Sequence, residues 1–128
     1  MKELMMSATK NTPAISFNSA NGILSIKGEA YPENAAEFYA PFFTWLEEYL
    51  AEKENRSTEV NVELVYFNSS SSRVLLDMFD KFEEAAKQGH QVVVHWRYHT
   101  DNDMILEYGE EFAEEVEAID FQLQEFSD

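Results

Sequence analysis

The sequence contains no cysteine. That excludes disulfide staples, thiolate nucleophiles and cysteine-ligated zinc, and it favours a reducing compartment. Basic residues are scarce as well: 9 Lys and Arg stand against 25 Asp and Glu, the formal charge is −16, and no Lys or Arg follows Arg97. Such a surface repels phosphate backbones and anionic headgroups and has no basic stripe from which to release counterions. Neither nucleic acid nor membrane is an expected partner. Glycines are few and scattered, at Gly22, Gly28, Gly89 and Gly109, so no phosphate-cradling loop exists. No stretch approaches the ~20 apolar residues of a membrane span, and Met1-Lys2-Glu3-Leu4-Met5-Met6-Ser7 lacks a long apolar signal segment. The chain therefore reads as cytoplasmic, and the matches Asn55-Arg56-Ser57 and Asn68-Ser69-Ser70 carry little weight as glycosylation sites.

What is present is enough for one domain over residues 1–128, a length that buries roughly two-thirds of its unfolded surface without a staple. Ala14 to Asn18 alternate apolar and polar, Asn21-Gly22 is a two-residue hairpin signal, and Ile23 to Gly28 resume the alternation. After Asn34, which can cap a helix, Phe38, Phe42, Trp45, Leu46, Tyr49 and Leu50 recur at helical spacing up to about Lys53, with Pro41 expected to kink the helix or mark where it becomes regular. A strand over 59–67 leads to a helix over about 70–88, whose apolar face is Leu75, Met78, Phe79, Phe82 and Ala86 and whose stop is Gly89. Residues 91–98 form a strand, 101–116 a helix interrupted or weakened by Gly109, and 119–124 a closing strand. The order β-β-α-β-α-β-α-β predicts an α/β fold with a mixed sheet, antiparallel at the hairpin and parallel at the later crossovers. Alternating strands, in place of continuous apolar runs, predict helices on one sheet face and an open second face.

Chemistry-bearing clusters are thin. His95 and His99, four apart on a strand, stand about 13 Å apart, too far to share a metal with each other, and His90 is expected at the surface with them. Asp101, Asp103 and Glu107 lack the Gly and distal Glu of a calcium loop and suit helix capping. The pairs Glu110-Glu111 and Glu114-Glu115 diverge around a helix, with nothing marking them as a pair in a dry cleft. No catalytic residue, metal ligand or cofactor is expected. The alternative is a small-molecule-binding or enzymatic domain using the open sheet face or the acidic C-terminal third.

The most informative segment is Tyr66-Phe67-Asn68-Ser69-Ser70-Ser71-Ser72-Arg73, between the strand and the second long helix. A helix N-terminus presents free N–H groups and the positive end of the macrodipole, so a hydroxyl there can cap the helix and a phosphate placed on it would be held. Both readings, cap and switch, are open from the local pattern.

Several segments together carry a family resemblance. They are Thr12-Pro13, Gly28-Glu29-Ala30-Tyr31-Pro32-Glu33-Asn34, Phe38-Tyr39, Trp45-Leu46, Tyr49-Leu50, Tyr66 to Ser71, Trp96-Arg97-Tyr98, Asp101 to Met104 and Gly109-Glu110-Glu111-Phe112. In these the chain resembles the SiaC family of bacterial regulatory phosphoproteins over nearly its whole length. The resemblance implies a STAS-like fold, as in anti-sigma-factor antagonists, and a non-enzymatic partner switch in cyclic di-GMP signalling. A dedicated kinase and a phosphatase would act on the residue after the junction Asn, here Ser69, with Ser70, Ser71 and Ser72 as alternative acceptors. The unmodified form would bind and activate a diguanylate cyclase through a surface including Tyr66, Asn68, Ser69, Ser70 and Arg73. Ser69 replaces the common Thr of that pattern, and Arg73 its usual Lys.

Overall fold

The structure is a computed structural model that describes residues 2–52 and 57–128. The expected helix end at Lys53 and the Asn55 and Arg56 positions of the first glycosylation match lie outside the described residues. Among the described residues the elements are β1 (Leu4–Met6), β2 (Ala14–Asn18), β3 (Ile23–Ala30), α1 (Ala35–Ala51), β4 (Ser57–Phe67), α2 (Ser69–Lys87), β5 (Gln91–His99), α3 (Asp103–Glu114) and β6 (Asp120–Phe126). The strands form one sheet in chain order; β1, β2 and β3 pair antiparallel, and β3 through β6 pair parallel. The mixed α/β architecture matches the expectation, with β1 added at the front. Three residues are too few to display an alternation, and β1 is held instead by pairing to Phe17, Ser16 and Ile15 and by the Trp45 indole donating to the Lys2 carbonyl at 2.7 Å.

All three helices cover one face. Phe17, Leu24, Val60, Val94 and Trp96 share that face through the strand register, and each is buried. Phe17 meets Phe42 and Trp45 of α1, while Trp96 meets Phe79 of α2 and Phe112 of α3. The opposite face is a polar ladder in which Glu63 bridges Lys27 and Arg97 across three strands and Asn61 pairs with His95 at 2.9 Å. Buried apolar area of this kind contributes about 25 cal/mol per Å², so the covered face carries most of the stability.

Three local expectations are corrected. The β2–β3 loop holds four residues, Ser19 to Gly22, because Asn18 pairs with Ile23 and the Asn18 side chain accepts from the Ala20 and Asn21 N–H groups. Helix α1 begins at Ala35 and runs through Pro41, so the proline does not mark its start; Pro41 sits on the exposed side, where water can serve the carbonyl one turn back. Helix α3 is not interrupted at Gly109; the glycine is buried where the helix lies on the Trp96 indole, and a Cβ there would collide with the Trp96 ring and stand 2.7 Å from Leu123 Cδ2. The same indole donates to the Ile105 carbonyl at 2.8 Å.

A second anchor of the C-terminal third was not signalled by any motif. Glu83 of α2 is buried, and its carboxylate accepts from the backbone N–H groups of Glu117, Ala118 and Ile119 at 2.9–3.1 Å. Burial pushes its pKa up, but these hydrogen bonds and the Lys87 charge outweigh burial and bring it below the usual value.

Two predictions follow from these contacts. Gly109→Ala gains about 1 kcal/mol of helix propensity but loses more to overpacking, so net destabilisation of roughly 1–3 kcal/mol is expected in urea denaturation. Glu83→Gln turns an amide N–H toward backbone donors and should cost about 1.5–3 kcal/mol at neutral pH. Because the folded pKa is lowered, the stabilisation exists above the unfolded pKa and is lost as pH falls through the folded one. The wild-type and Glu83→Gln denaturation midpoints should therefore converge on acidification.

Candidate functional site

Strand β4 ends irregularly. Gly28 pairs with Leu64 but Glu29 pairs with Tyr66, leaving Val65 as a bulge, opposite Gly28 at φ +124°. The bulge shifts the phase of the alternation, so Val65 and Tyr66 are both exposed and Phe67 turns inward. Asn102 donates its side-chain amide to the Val65 carbonyl at 3.0 Å, while the Tyr66 ring meets Tyr31 edge-on. The sequence signal for this feature was Gly28, an isolated glycine in a strand pattern.

Asn68 converts strand to helix. Its extended backbone donates to the Ala30 carbonyl, its side-chain oxygen accepts from Ser71 N–H at 3.0 Å, and its carbonyl accepts from Ser72 N–H at 2.9 Å. The cap of α2 is therefore Asn68 and none of the serines. Asn plays the same role at the start of α3, where Asn102, between the two aspartates considered for capping, accepts from Ile105 N–H.

With the cap supplied, the four serines fall into distinct environments. Ser69 and Ser70, in the first turn, are exposed, and Ser72 is half-buried. Ser71 is fully buried, and its hydroxyl lies 2.8 Å from the Tyr39 hydroxyl of α1. Burial pushes the Tyr39 phenol above its usual pKa, against the lowering effect of that hydrogen bond. The Ser71–Tyr39 contact was invisible in the sequence because it joins residues 32 apart. Arg73, one turn beyond Ser69, is largely exposed and holds Asp77 only loosely, at 3.9 Å.

Ser69, Ser72, Arg73 and Leu76 form one wall of a groove of ≈ 430 Å³; Tyr108, Glu111, Phe112 and Glu115 form the other. On each wall these residues recur at helical spacing, so α2 and α3 present two parallel stripes with a gap between them. Tyr66 is at the end of β4 beside this region, and Asn68 contributes through the cap.

The histidines do not converge. His90 Nε2 lies 2.7 Å from Thr58 Oγ1, His95 pairs with Asn61, and His99 lies between Asp101 and Asp128. All three are half-buried, with partners on neighbouring residues, where the pattern suggested plain surface positions. Among the described residues no group of three His, Asp or Glu is placed to hold a metal ion, and no helix is long and apolar enough to cross a membrane.

The roles of the junction side chains are separable by denaturation. Asn68→Ala should cost about 0.5–2 kcal/mol as a lost cap. Ser71→Ala leaves the buried Tyr39 hydroxyl unpaired and should cost about 1–3 kcal/mol, with Tyr39→Phe/Ser71→Ala costing less than the sum of the single changes. Ser69→Ala and Ser70→Ala, on the exposed side, should stay within about 0.5 kcal/mol of wild type.

The arrangement has close counterparts. A family model described as SiaC family regulatory phosphoprotein matches residues 6–126. An uncharacterized protein of Pseudomonas aeruginosa strain UCBPP-PA14 is 36% identical over 115 residues, covering 90% of each chain. The crystal structure of apo-SiaC from Pseudomonas aeruginosa superposes with a TM-score of 0.85 at 34% identity, over 98% of both chains. A second similar chain comes from the crystal structure of the diguanylate cyclase SiaD in complex with its activator SiaC, from the same organism. It gives a TM-score of 0.87 at 34% identity, over 98% of this chain and 99% of that one. A capped junction of exposed serines, the one-sided six-stranded sheet and a family match across nearly the full length agree: the chain belongs to the SiaC family of regulatory phosphoproteins.

Proposed function

We propose that this chain is a non-enzymatic partner-switching protein whose unmodified form binds and activates a diguanylate cyclase and whose phosphorylation at Ser69 ends that binding. The observation that carries the reading is the environment of Ser69: it occupies the motif position after the junction Asn, it is exposed in the first turn of α2, and the neighbouring Ser71 is sealed against Tyr39. The family membership and the solved complex of a similar chain with its cyclase support the choice of partner. A dedicated kinase and a phosphatase would act on Ser69, with the exposed Ser70 and half-buried Ser72 as the next candidates. The partner surface includes Tyr66, Ser69, Ser70 and Arg73, held in place by Asn68.

The chemistry follows from charge. A phosphate on Ser69 adds about −1.5 to −2 charges at the positive end of α2, and Arg73 can leave its loose contact with Asp77 to meet it. The fold tolerates the modification. A cyclase docked over the junction would have to desolvate the dianion, at a cost of several kcal/mol, which is roughly a hundredfold or more in affinity.

Incubation with the cognate kinase followed by mass spectrometry should place the phosphate on Ser69, and Ser69→Ala should accept none while still binding and activating the cyclase. Ser69→Asp should keep its denaturation midpoint, or gain about 0.3–1 kcal/mol from the helix dipole, yet lose cyclase binding in a titration. Phosphate found on Ser72 would overturn the residue assignment. Full cyclase activation by Ser69→Asp would overturn the mechanism.

A further inference from the structure

We infer that Asn102 is a positioning residue for the switch: its side chain clamps the bulged end of β4 to the start of α3 and so fixes the surface on which Tyr66 and Ser69 stand. The inference rests on the partner-switching function proposed for the Ser69 junction and names a side chain that shapes the junction from a distant part of the chain.

Among the described residues the β4–β5 ladder runs from Ser57–Gln91 to Glu63–Arg97 and goes no further. Beyond it β5 stays with β6, through Tyr98–Glu125 and His99–Phe126, while β4 stays with β3, through Tyr66–Glu29 and Phe67–Ala30. The two strands therefore part where β4 bulges and turns toward Ser69. On its β3 side the departing strand is held by the ladder and by the Asn68 N–H, which donates to the Ala30 carbonyl at 3.1 Å. On the β5 side the ladder has ended, and the Asn102 side-chain amide takes its place by donating to the Val65 carbonyl at 3.0 Å.

Capping alone does not account for an asparagine here. Asp is as good an N-cap as Asn and adds a favourable charge at the positive end of the helix dipole, and one stands on either side, at Asp101 and Asp103. An aspartate, however, only accepts. Asn102 accepts from the Ile105 N–H at 3.2 Å with its side-chain oxygen and gives its side-chain N–H to Val65 with the other arm. A serine or threonine hydroxyl puts donor and acceptor on one atom, whereas the amide spreads them over two and spans both elements. The backbone of Asn102 is committed as well, its N–H to the His99 carbonyl at 2.8 Å and its carbonyl to the Leu106 N–H at 3.2 Å, so the side chain has a fixed base.

What the clamp holds is exposed: Val65 and Tyr66 at the end of β4, Met104 in the first turn of α3, and Ser69 three residues beyond Tyr66. Val65 and Tyr66 bury little against the core, so fixing them contributes little to folding. A partner that reads this surface gains, because the bulge is ordered before binding.

The test separates clamp from cap in the intact protein. Asn102→Asp/Asp103→Asn keeps the net charge and the cap acceptor and removes the donor to Val65; Asn102→Ala removes both. In ¹⁵N,¹³C-labelled protein the double variant should keep the Ile105 amide as protected from exchange as in wild type. It should move the resonances of the Val65 carbonyl and the Tyr66 amide, which belong to one peptide unit, together with those of Asn68 and Ser69. Asp103→Asn alone, the control for the first-turn charge, should leave them in place. With the cognate diguanylate cyclase, the double variant should raise the concentration for half-maximal activation roughly three- to tenfold, the cost of ordering one or two side chains on binding, with maximal activation unchanged. Asn102→Ala should show the same changes and faster exchange at Ile105 in addition. If the double variant leaves the Tyr66, Asn68 and Ser69 resonances at their wild-type positions, Asn102 is a cap and nothing more, and the inference is overturned. It is overturned as well if those resonances move while half-maximal activation stays within about twofold of wild type. If wild type itself fails to activate the cyclase, the cyclase assignment falls, while displaced Tyr66 and Ser69 resonances in the double variant still support the positioning role.

Discussion

The parallel strands β3 to β6 lie in the sheet in the order in which the chain makes them, and most of the molecule follows from that constraint. A right-handed crossover always taken in the same direction puts each helix on the same side, so the sheet has one covered face and one open face. Each helix then starts at the C-terminal end of a strand and runs back over the sheet. The first turns of α2 and α3 come side by side at one end of the molecule, and the junction serines, the bulged end of β4 and the Asn102 cap meet there. Ligand sites in open α/β sheets gather at the same end for the same reason.

Within that frame, two contacts hold α3 and the segment before β6. Gly109 lets α3 rest on the Trp96 indole, which reaches over to the Ile105 carbonyl. Glu83 collects the N–H groups of residues 117 to 119 just before the last strand, including that of the buried Ile119. The position of α3 sets the width of the groove, so the wall facing Ser69 depends on a missing Cβ and on a buried carboxylate, neither of which touches the junction.

At the junction itself, structural tasks and solvent exposure fall to different side chains. Asn68 supplies the cap and Ser71 supplies the tie to α1, which leaves the outward hydroxyls without a structural task. A charge placed on them would change the surface at the start of α2 and leave the core packing unchanged.

The sequence by itself determined the α/β order, the one-sided burial and the place of the serine junction. Those are written in local periodicities of two and 3.6 residues and in the helix-start chemistry of Asn and Ser. It also determined the sign of the surface, since no basic residue follows Arg97. It was silent on β1, whose three residues show no period, and on which serine is buried, because the Tyr39–Ser71 bond joins residues 32 apart and forms only when α1 and α2 are laid side by side. Gly109 read as a helix breaker because propensity counts only the helix itself; the tertiary structure made it a close-contact residue by placing an indole where its side chain would be. The bulge at Val65, the Glu83 anchor and the groove likewise depend on register and helix placement. Those are decided by long-range packing, to which neighbouring residues in the chain are blind.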